Sequence, residues 1–521
     1  MSSFPATRAL RATVSRGLRF ASTASSATLK AGRREVSVPT GIFINNEFRT
    51  SIGDNKFGVV SPATGQEVLQ IEEGREEDVN EAVSAARAAF KSQWAKSDPV
   101  WRGALLNRLA ELMERDREDI IALEMLDTGK TYKQASTGDF PGAVGTLKYY
   151  AGWADKVVGL TSFNIPKTFA YTRREPIGVC GQIIPWNFPL LMFIWKIAPA
   201  LATGNTVVIK SAEATPLGAL KCCELIKEAG FPPGVINLVS GFGNTVGNAI
   251  TNHMDVDKVA FTGSTATGRR ILQASASSNL KKVTLELGGK GPNIIFPDVD
   301  MDKTVDWAAW GINMNAGQTC HAGTRIYVHD DVYDAFVDAF AKRMSSLKVG
   351  DNFDSSVDQG PQNNKLQYDK ILQYIESGKQ EGATVKTGGK KVEGTDGGYF
   401  IEPTVFTNVK PDMKIMREEI FGPVVCVSRF SSESEVIALA NDTSYGLAAA
   451  VHTKDYERAV RVTNALQSGT TWVNMYNFVH WSIPFGGYKE SGFGRECGEA
   501  ALENYTEVKA VYFNMGMEAP K

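Results

Sequence analysis

The sequence predicts an α/β protein, a doubly wound parallel sheet followed by a second α/β unit, on three observations. Between residues 178 and 287, short apolar runs rich in β-branched residues alternate with helical segments about a dozen residues long. That is the spacing of strand–helix–strand crossovers. A second alternation of the same kind occupies 291–489. The 521 residues are also too many for one ordinary core, and 43% hydrophobic with 22% charged residues excludes disordered, collagen-like and coiled-coil classes.

The first 34 residues stand apart. They hold seven bases (Arg8, Arg11, Arg16, Arg19, Lys30, Arg33 and Arg34), no acid, and many Ser, Thr and Ala. On a helix, Leu10, Val14 and Leu18 would form an apolar stripe beside the arginines. No continuous apolar run is present, so 1–34 reads as a mitochondrial transit peptide rather than a secretory signal. Arg19-Phe20-Ala21-Ser22 offers a cleavage neighbourhood, and the matrix is the expected compartment. The whole-chain charge of −2 comes from 56 bases and 58 acids; without the leader, 49 bases face 58 acids, a charge of −9. Neither sum is that of a nucleic-acid binder.

Residues 42–61 read as short strands with turns at Asn45-Asn46 and Gly53-Asp54. Amphipathic helices are expected at 77–90 and at 99–115, the latter continuing towards 126. The sheet strands are expected at 178–184, 206–209, 235–239, 258–261 and 282–287. Helices at 190–202, 216–229, 244–251 and 265–276 join them, with Pro216 in a first turn and Gly230 as a C-terminal cap. The apolar stretch 189–202 is too short to span a bilayer and carries Lys196 and Pro199, so it reads as a buried helix and no membrane partner is expected. In the second unit, helices are expected at 301–315, 332–347 and 366–380, and strands at 424–430, 448–453 and 469–473. Residues 504–513 alternate like one more strand. Six cysteines without a CxxC unit, and five histidines, argue against a disulfide scaffold and a zinc cage, so no metal site is expected.

Sheets of this kind take ligands beyond the carboxyl ends of their strands, and several such ends carry chemistry. The run Gly241 to Gly247 is one residue too long for GxGxxG. Gly263-Ser264-Thr-Ala-Thr-Gly268 has the glycine spacing of a P-loop, but Arg269-Arg270 replace the Lys-Ser/Thr pair, which disfavours ATP hydrolysis. Either turn can present backbone N–H groups to a pyrophosphate, or serve only as a tight turn. Glu286 closes a strand of Val and Leu, where an acid is costly to bury unless used or paired. Asn187 follows another strand, and its amide can donate to an oxyanion. Lys210 and Glu213 follow the next, where a ribose is expected. Cys320 lies between Gly317 and Gly323, which allow close approach of a substrate, although such a cysteine is often just a small buried hydrophobe. His321 is not expected to act as its base, because adjacent side chains usually diverge. Backbone donors or a nearby cation are expected to activate the thiol instead.

Six blocks carry a family resemblance: EPIGVCGQIIPWNFPL (175–190), KVAFTGSTATG (258–268), VTLELGGKGPNII (283–295), GQTCHAG (317–323), EEIFGPV (418–424) and PFGGYKESGFGRE (484–496). The chain resembles the NAD(P)-dependent aldehyde dehydrogenase family over essentially everything after residue 38, and especially its members acting on small aliphatic aldehydes. The resemblance implies a Rossmann-like NAD-binding domain at 35–157 and 177–288, and a catalytic domain at 289–490. It also implies a small β oligomerisation element with the C-terminal tail at 158–176 and 491–521, and a homotetramer.

The resemblance further implies that Cys320 attacks the aldehyde to give a thiohemiacetal, which becomes a thioester once hydride has left to the cofactor. Asn187 and the backbone N–H of Cys320 would hold the oxyanion. Glu286 would activate the hydrolytic water, with Lys196 and Glu496 relaying its proton. Cofactor contacts are implied at Ile184, Trp186, Lys210, Glu213, Gly263, Ser264, Gly268, Glu419 and Phe421. A substrate tunnel is implied at Phe188, Met192, Trp195 and Phe485. The carboxylate of Glu213 favours NAD, with NADP possible, since a 2′-phosphate would meet negative charge. Glu286 favours hydrolysis over transfer of the thioester to coenzyme A. Two departures stand out: Thr319 and His321 occupy positions where some relatives have further cysteines, and Asn477-Phe-Val-His-Trp481 matches no particular substrate class.

Overall fold

The computed structural model describes residues 25–395 and 397–520. Its first sheet has five parallel strands in the spatial order Lys282–Glu286, Lys258–Thr262, Val179–Ile183, Thr206–Lys210, Ile236–Leu238. In chain order this is 5-4-1-2-3, so the direction of winding reverses between Val179–Ile183 and Lys258–Thr262. A crevice opens at such a reversal, beyond the carboxyl ends of the two strands. Antiparallel strands close both edges: Ile42–Ile44 with Glu47–Arg49 on one side, Gly492–Phe493 on the other.

The helices that cover this sheet follow from sequence signals. Pro189 opens Pro189–Ala202, a position where its missing N–H costs nothing. Apart from Lys196 that helix is apolar, and it lies in the core; Phe193, Ile194, Ile197 and Leu201 are fully buried, each worth about 1.5–3 kcal/mol. Gly230 ends Leu217–Ala229 in a left-handed cap, as expected. Pro216 falls one residue before that helix rather than in its first turn, and Asp127 Oδ2 accepts the N–H of Leu217 at 3.0 Å.

The second sheet runs Thr384–Thr387, Thr404–Thr407, Val424–Phe430, Arg325–His329, Pro292–Ile295, Ala448–His452, Thr470–Val473, parallel except for its first pair. The helix expected at 301–315 stops at Asn313, because Asn315 and Ala316 adopt left-handed conformations. Thr506–Asn514 pairs antiparallel with Thr168–Pro176, which also pairs with Thr161–Ser162. This three-stranded element leaves Leu160, Phe163, Val508 and Tyr512 exposed.

Two expected boundaries move. Ser26–Ala31 and Arg34–Pro39 form a β-hairpin whose Leu29, Ala31, Val36 and Val38 are buried in the core of the first unit. The leader boundary at residue 34 therefore cuts a folded strand. The rest of that expected leader, 1–24, lies outside the described residues. Likewise 491–521 does not belong wholly to the exposed element, since Gly492–Phe493 joins the first sheet and Cys497, Leu502 and Tyr505 are core residues. Among the described residues no helix is long and apolar enough to cross a membrane, and no cluster of three or more His, Cys, Asp or Glu is arranged to hold a metal.

Candidate active site

The crevice at the winding reversal continues into a cavity of about 300 Å³ between the two sheets. Cys320 reaches it on a loop built by backbone strain. Asn315, Ala316 and Gly317 are successive left-handed residues with φ of 54°, 53° and 75°. Asn tolerates this conformation; Ala does so only at a cost of about 1–2 kcal/mol. A Cβ at Gly317 would stand 2.1 Å from the carbonyl oxygen of Gly422, and one at Gly289 would stand 2.5 Å from that of Cys320. Side chains lock the loop: Gln318 Nε2 donates to Asn315 O at 3.0 Å, and Gln318 Oε1 accepts the N–H of Asn363 at 2.8 Å.

Asn187 lies just past Val179–Ile183, one residue before the N-cap Phe188. One N–H of its side-chain amide donates to Gln318 O at 2.9 Å, and the Asn187 backbone carbonyl accepts from Asn315 Nδ2 at 2.8 Å. This fixes the amide beside the Cys320 loop and leaves a second N–H for another acceptor. Glu286, the last residue of its strand, is buried, and neither carboxylate oxygen has a hydrogen-bond partner. Burial first, then the charge of Glu496, push its carboxyl well above the usual range; Lys196 and Arg495 oppose this. Behind it, Lys196 Nζ donates to Thr262 Oγ1 at 2.9 Å and to Glu496 Oε1 at 2.5 Å, while Glu496 Oε2 stays unpaired.

Cys320 itself is partly open to the cavity, and burial, Glu419 and Glu286 all push its thiol up. The N–H groups of Cys320 and His321 pull it down. His321 does not diverge from its neighbour as expected: Nδ1 lies 3.6 Å from Cys320 Sγ, because the imidazole is folded inward against the rings of Phe485 and Trp472 at 5.3 and 5.8 Å.

Trp186 and Phe421, which line the cavity together with Gly263 and Ser264, meet edge-to-face at 5.3 Å. Glu419 accepts the N–H of Gly289 at 2.9 Å, and burial pushes its carboxyl up to about 7. Ser264 caps the helix Thr265–Ser277, whose first-turn N–H groups point past the strand end, a setting suited to phosphate. Further along the sheet, the buried Lys210 Nζ lies 3.2 Å from Glu213 Oε2. An adjacent donor and acceptor of this kind match a vicinal diol. These groups fit a dinucleotide laid along the strand ends.

Residues 48–511 match the profile of the Aldehyde dehydrogenase family. The chain belongs to the aldehyde dehydrogenase family. It is 55% identical over 482 residues to an aldehyde dehydrogenase of Alternaria alternata, spanning 92% of this chain and 97% of that protein. It is 56% identical over 472 residues to the mitochondrial aldehyde dehydrogenase of Homo sapiens, spanning 90% and 91%. The NAD+ complex of an aldehyde dehydrogenase from Bacillus cereus superimposes with a TM-score of 0.90 at 50% identity, covering 92% of this chain and 97% of that one.

The aldehyde dehydrogenase cavity gathers most of the expected site residues: Cys320, Glu286, Asn187 and Glu496 with Trp186, Gly263, Ser264, Glu419 and Phe421, and the wall residues Phe188, Met192, Trp195 and Phe485. Lys196 stands behind it through Glu496. Lys210, Glu213 and Ile184 lie outside the cavity proper; Ile184 donates its N–H to Lys210 O at 3.1 Å and is buried. Gly268 is not on the cavity either. A Cβ there would come within 2.9 Å of Leu287, so this glycine lets its helix close on the sheet.

Several wall residues were not anticipated from sequence. Gly138, Gly142, Leu191, Met314, Asn477, Val479 and Trp481 also line the cavity. Two glycines four apart in a helical stretch, with no cap to form, were the signal for the first pair. Asn477, Val479 and Trp481 belong to the segment that departs from the family pattern.

Proposed function

We infer that this enzyme oxidises aldehydes to carboxylic acids, with Cys320 as nucleophile, Asn187 as oxyanion donor and Glu286 as the base for hydrolysis. One observation carries the residue assignment: a thiol, a half-satisfied amide and a buried carboxyl without any hydrogen-bond partner converge on one cavity.

Cys320 Sγ adds to the aldehyde carbon, and the carbonyl oxygen takes up negative charge. The free N–H of Asn187 and the N–H of Cys320 receive that charge, a donor of this kind being worth about 3–4 kcal/mol in the transition state. NAD, when bound, supplies the acceptor for the hydride lost from the tetrahedral carbon, which becomes a thioester on Cys320. Trp186, Gly263, Ser264, Glu419 and Phe421 would hold its nicotinamide half, and Lys210 with Glu213 its adenosine ribose. Glu286 then takes a proton from water, hydroxide adds to the thioester carbon, and the acid leaves as Cys320 regains its thiolate. Glu496 Oε2 is unpaired and Glu496 Oε1 is tied to Lys196, which gives the Glu286 proton a way out through buried charges.

Glu213 supports a preference for NAD over NADP. The exposed apolar residues of the three-stranded element support assembly into a homotetramer through it. The four arginines and absent acids of 1–25, and the mitochondrial relative, support import into the matrix, with a leader ending before Ser26. Small aliphatic aldehydes are the proposed substrates. The test is a panel of aldehydes with NAD and NADP, following reduced-cofactor absorbance, with Cys320→Ala as control. Reduction by the parent and none by Cys320→Ala is expected; full turnover by Cys320→Ala refutes the nucleophile.

A further inference from the structure

Cys320 faces two acids. Glu419 reaches it from the loop before Val424–Phe430 and Glu286 from the end of Lys282–Glu286, with Glu496 and Lys196 behind the latter. Both acids, like burial, oppose ionisation of a thiol that must become a thiolate to react. Against them stand the N–H groups of Cys320 and His321, and the imidazole of His321.

The tautomer of that imidazole follows from its surroundings. Nδ1 lies 3.6 Å from Sγ, within reach for a hydrogen bond to sulfur. Nε2 is buried beneath the cavity wall with no partner. A proton on Nε2 would be a buried donor without an acceptor, which folded proteins avoid more strictly than an unused lone pair. The proton therefore belongs on Nδ1, facing the sulfur. Desolvation pushes the ring down to about 3, so it is neutral and offers a hydrogen bond rather than an ion pair. The rings of Phe485 and Trp472 hold its plane.

We propose that His321 is a positioning residue for the nucleophile, its Nδ1–H donating to Cys320 Sγ so that the thiolate forms more readily and points at the substrate. The inference rests on Cys320 being the nucleophile. It assigns a purpose to the histidine next to the nucleophile, and it needs no charge on the ring.

The direction of one shift decides it. The purified full-length enzyme, without cofactor, is treated with iodoacetamide across a pH series, and Cys320 alkylation is followed by peptide mass spectrometry. The other five cysteines are buried and serve as internal controls. In His321→Phe the midpoint of the pH–rate curve moves up, with alkylation at neutral pH about tenfold slower, as the loss of one hydrogen bond to a charged group requires. His321→Asn, whose amide can donate from a similar place, recovers most of the rate. A His321→Phe midpoint that stays put or moves down overturns the proposal, since a downward shift would mean that the ring accepts from the thiol. If His321→Phe does not fold, His321→Leu is read by the same criterion. Aldehyde turnover by Cys320→Ala separates the two ideas. Turnover there removes the nucleophile assignment, whereas an inactive Cys320→Ala with an unmoved His321 curve removes only the positioning role.

Discussion

Lys196 and Glu496 form an ion pair sealed inside the protein, at 2.5 Å, and Glu496 is also the charge that most raises Glu286 after burial itself. On the proposed mechanism the pair shifts the pH at which Glu286 acts as a base, Glu496 raising it and Lys196 lowering it. A raised carboxyl must lose its proton before it can take one from water, so hydrolytic turnover rises with pH and levels off above that point. Glu496→Gln removes the repelling charge and moves the rise to lower pH. Lys196→Met leaves Glu496 uncompensated and moves it to higher pH. Steady-state pH profiles of the two variants check this, and shifts of the same sign in both would refute the coupling.

Asn187 tests the oxyanion geometry separately from the base. Its amide keeps one N–H on Gln318 O and offers the other to the cavity. Asn187→Ala is expected to lower kcat by roughly 10²–10³, the usual loss for one such donor. Cofactor affinity, measured by fluorescence titration, should stay close to that of the parent. Loss of cofactor binding instead would mean that the substitution had collapsed the loop carrying Cys320.

The strand ends were legible in the sequence because a parallel sheet writes itself as apolar runs, and chemistry gathers where the runs stop. Glu286 and Asn187 could be singled out on those grounds alone. Cys320 could not be separated from a core cysteine by spacing, since its exposure depends on three left-handed residues that no periodicity reveals. His321 was set aside on a rule about neighbouring side chains, which fails here because Phe485 and Trp472 turn the ring inward. The hairpin Ser26–Ala31/Arg34–Pro39 was masked by basic composition, although Leu29 and Ala31 on one strand, and Val36 and Val38 on the other, already alternate with polar residues. Glu496 and Gly492–Phe493 sit far along the chain from the sheet they complete, and only long-range packing brings them there.

A second buried charge cluster bears on stability. Lys130 Nζ bonds Asp139 and lies 3.4 Å from Glu124, all three buried, with the ring face of Phe188 at 4.1 Å from the ammonium. Burial raises Glu124 to about 7 and raises Asp139, while Lys130 opposes both. A carboxyl raised on folding disfavours the native state increasingly as pH rises from the unfolded to the folded value, here from about 4.5 to about 7 for Glu124. Lys130→Met strips the opposing cation from two acids and is expected to cost about 3–5 kcal/mol. Denaturant titrations at several pH values should show that loss growing with pH. A loss independent of pH would point to packing around Phe188 instead.

The cavity wall gives the clearest handle on substrate size. Gly138 and Gly142 lie one helical turn apart beside the tunnel, and neither needs a left-handed backbone. A Cβ on Gly138 would meet nothing within 4 Å, and one on Gly142 would meet only Leu191 Cδ1, at 3.0 Å. Side chains added here would therefore grow into space that substrate can use. Gly138→Val and Gly142→Val should raise KM for aromatic and branched aldehydes by about tenfold or more, since clashes of this kind typically cost 1–3 kcal/mol. Acetaldehyde, too short to reach that wall, should keep its kcat/KM within about twofold. Steady-state kinetics with the two substrate classes measures the ratio directly. An equal loss for both classes would mean that the substitutions had disturbed the neighbouring Asp139 cluster rather than the tunnel.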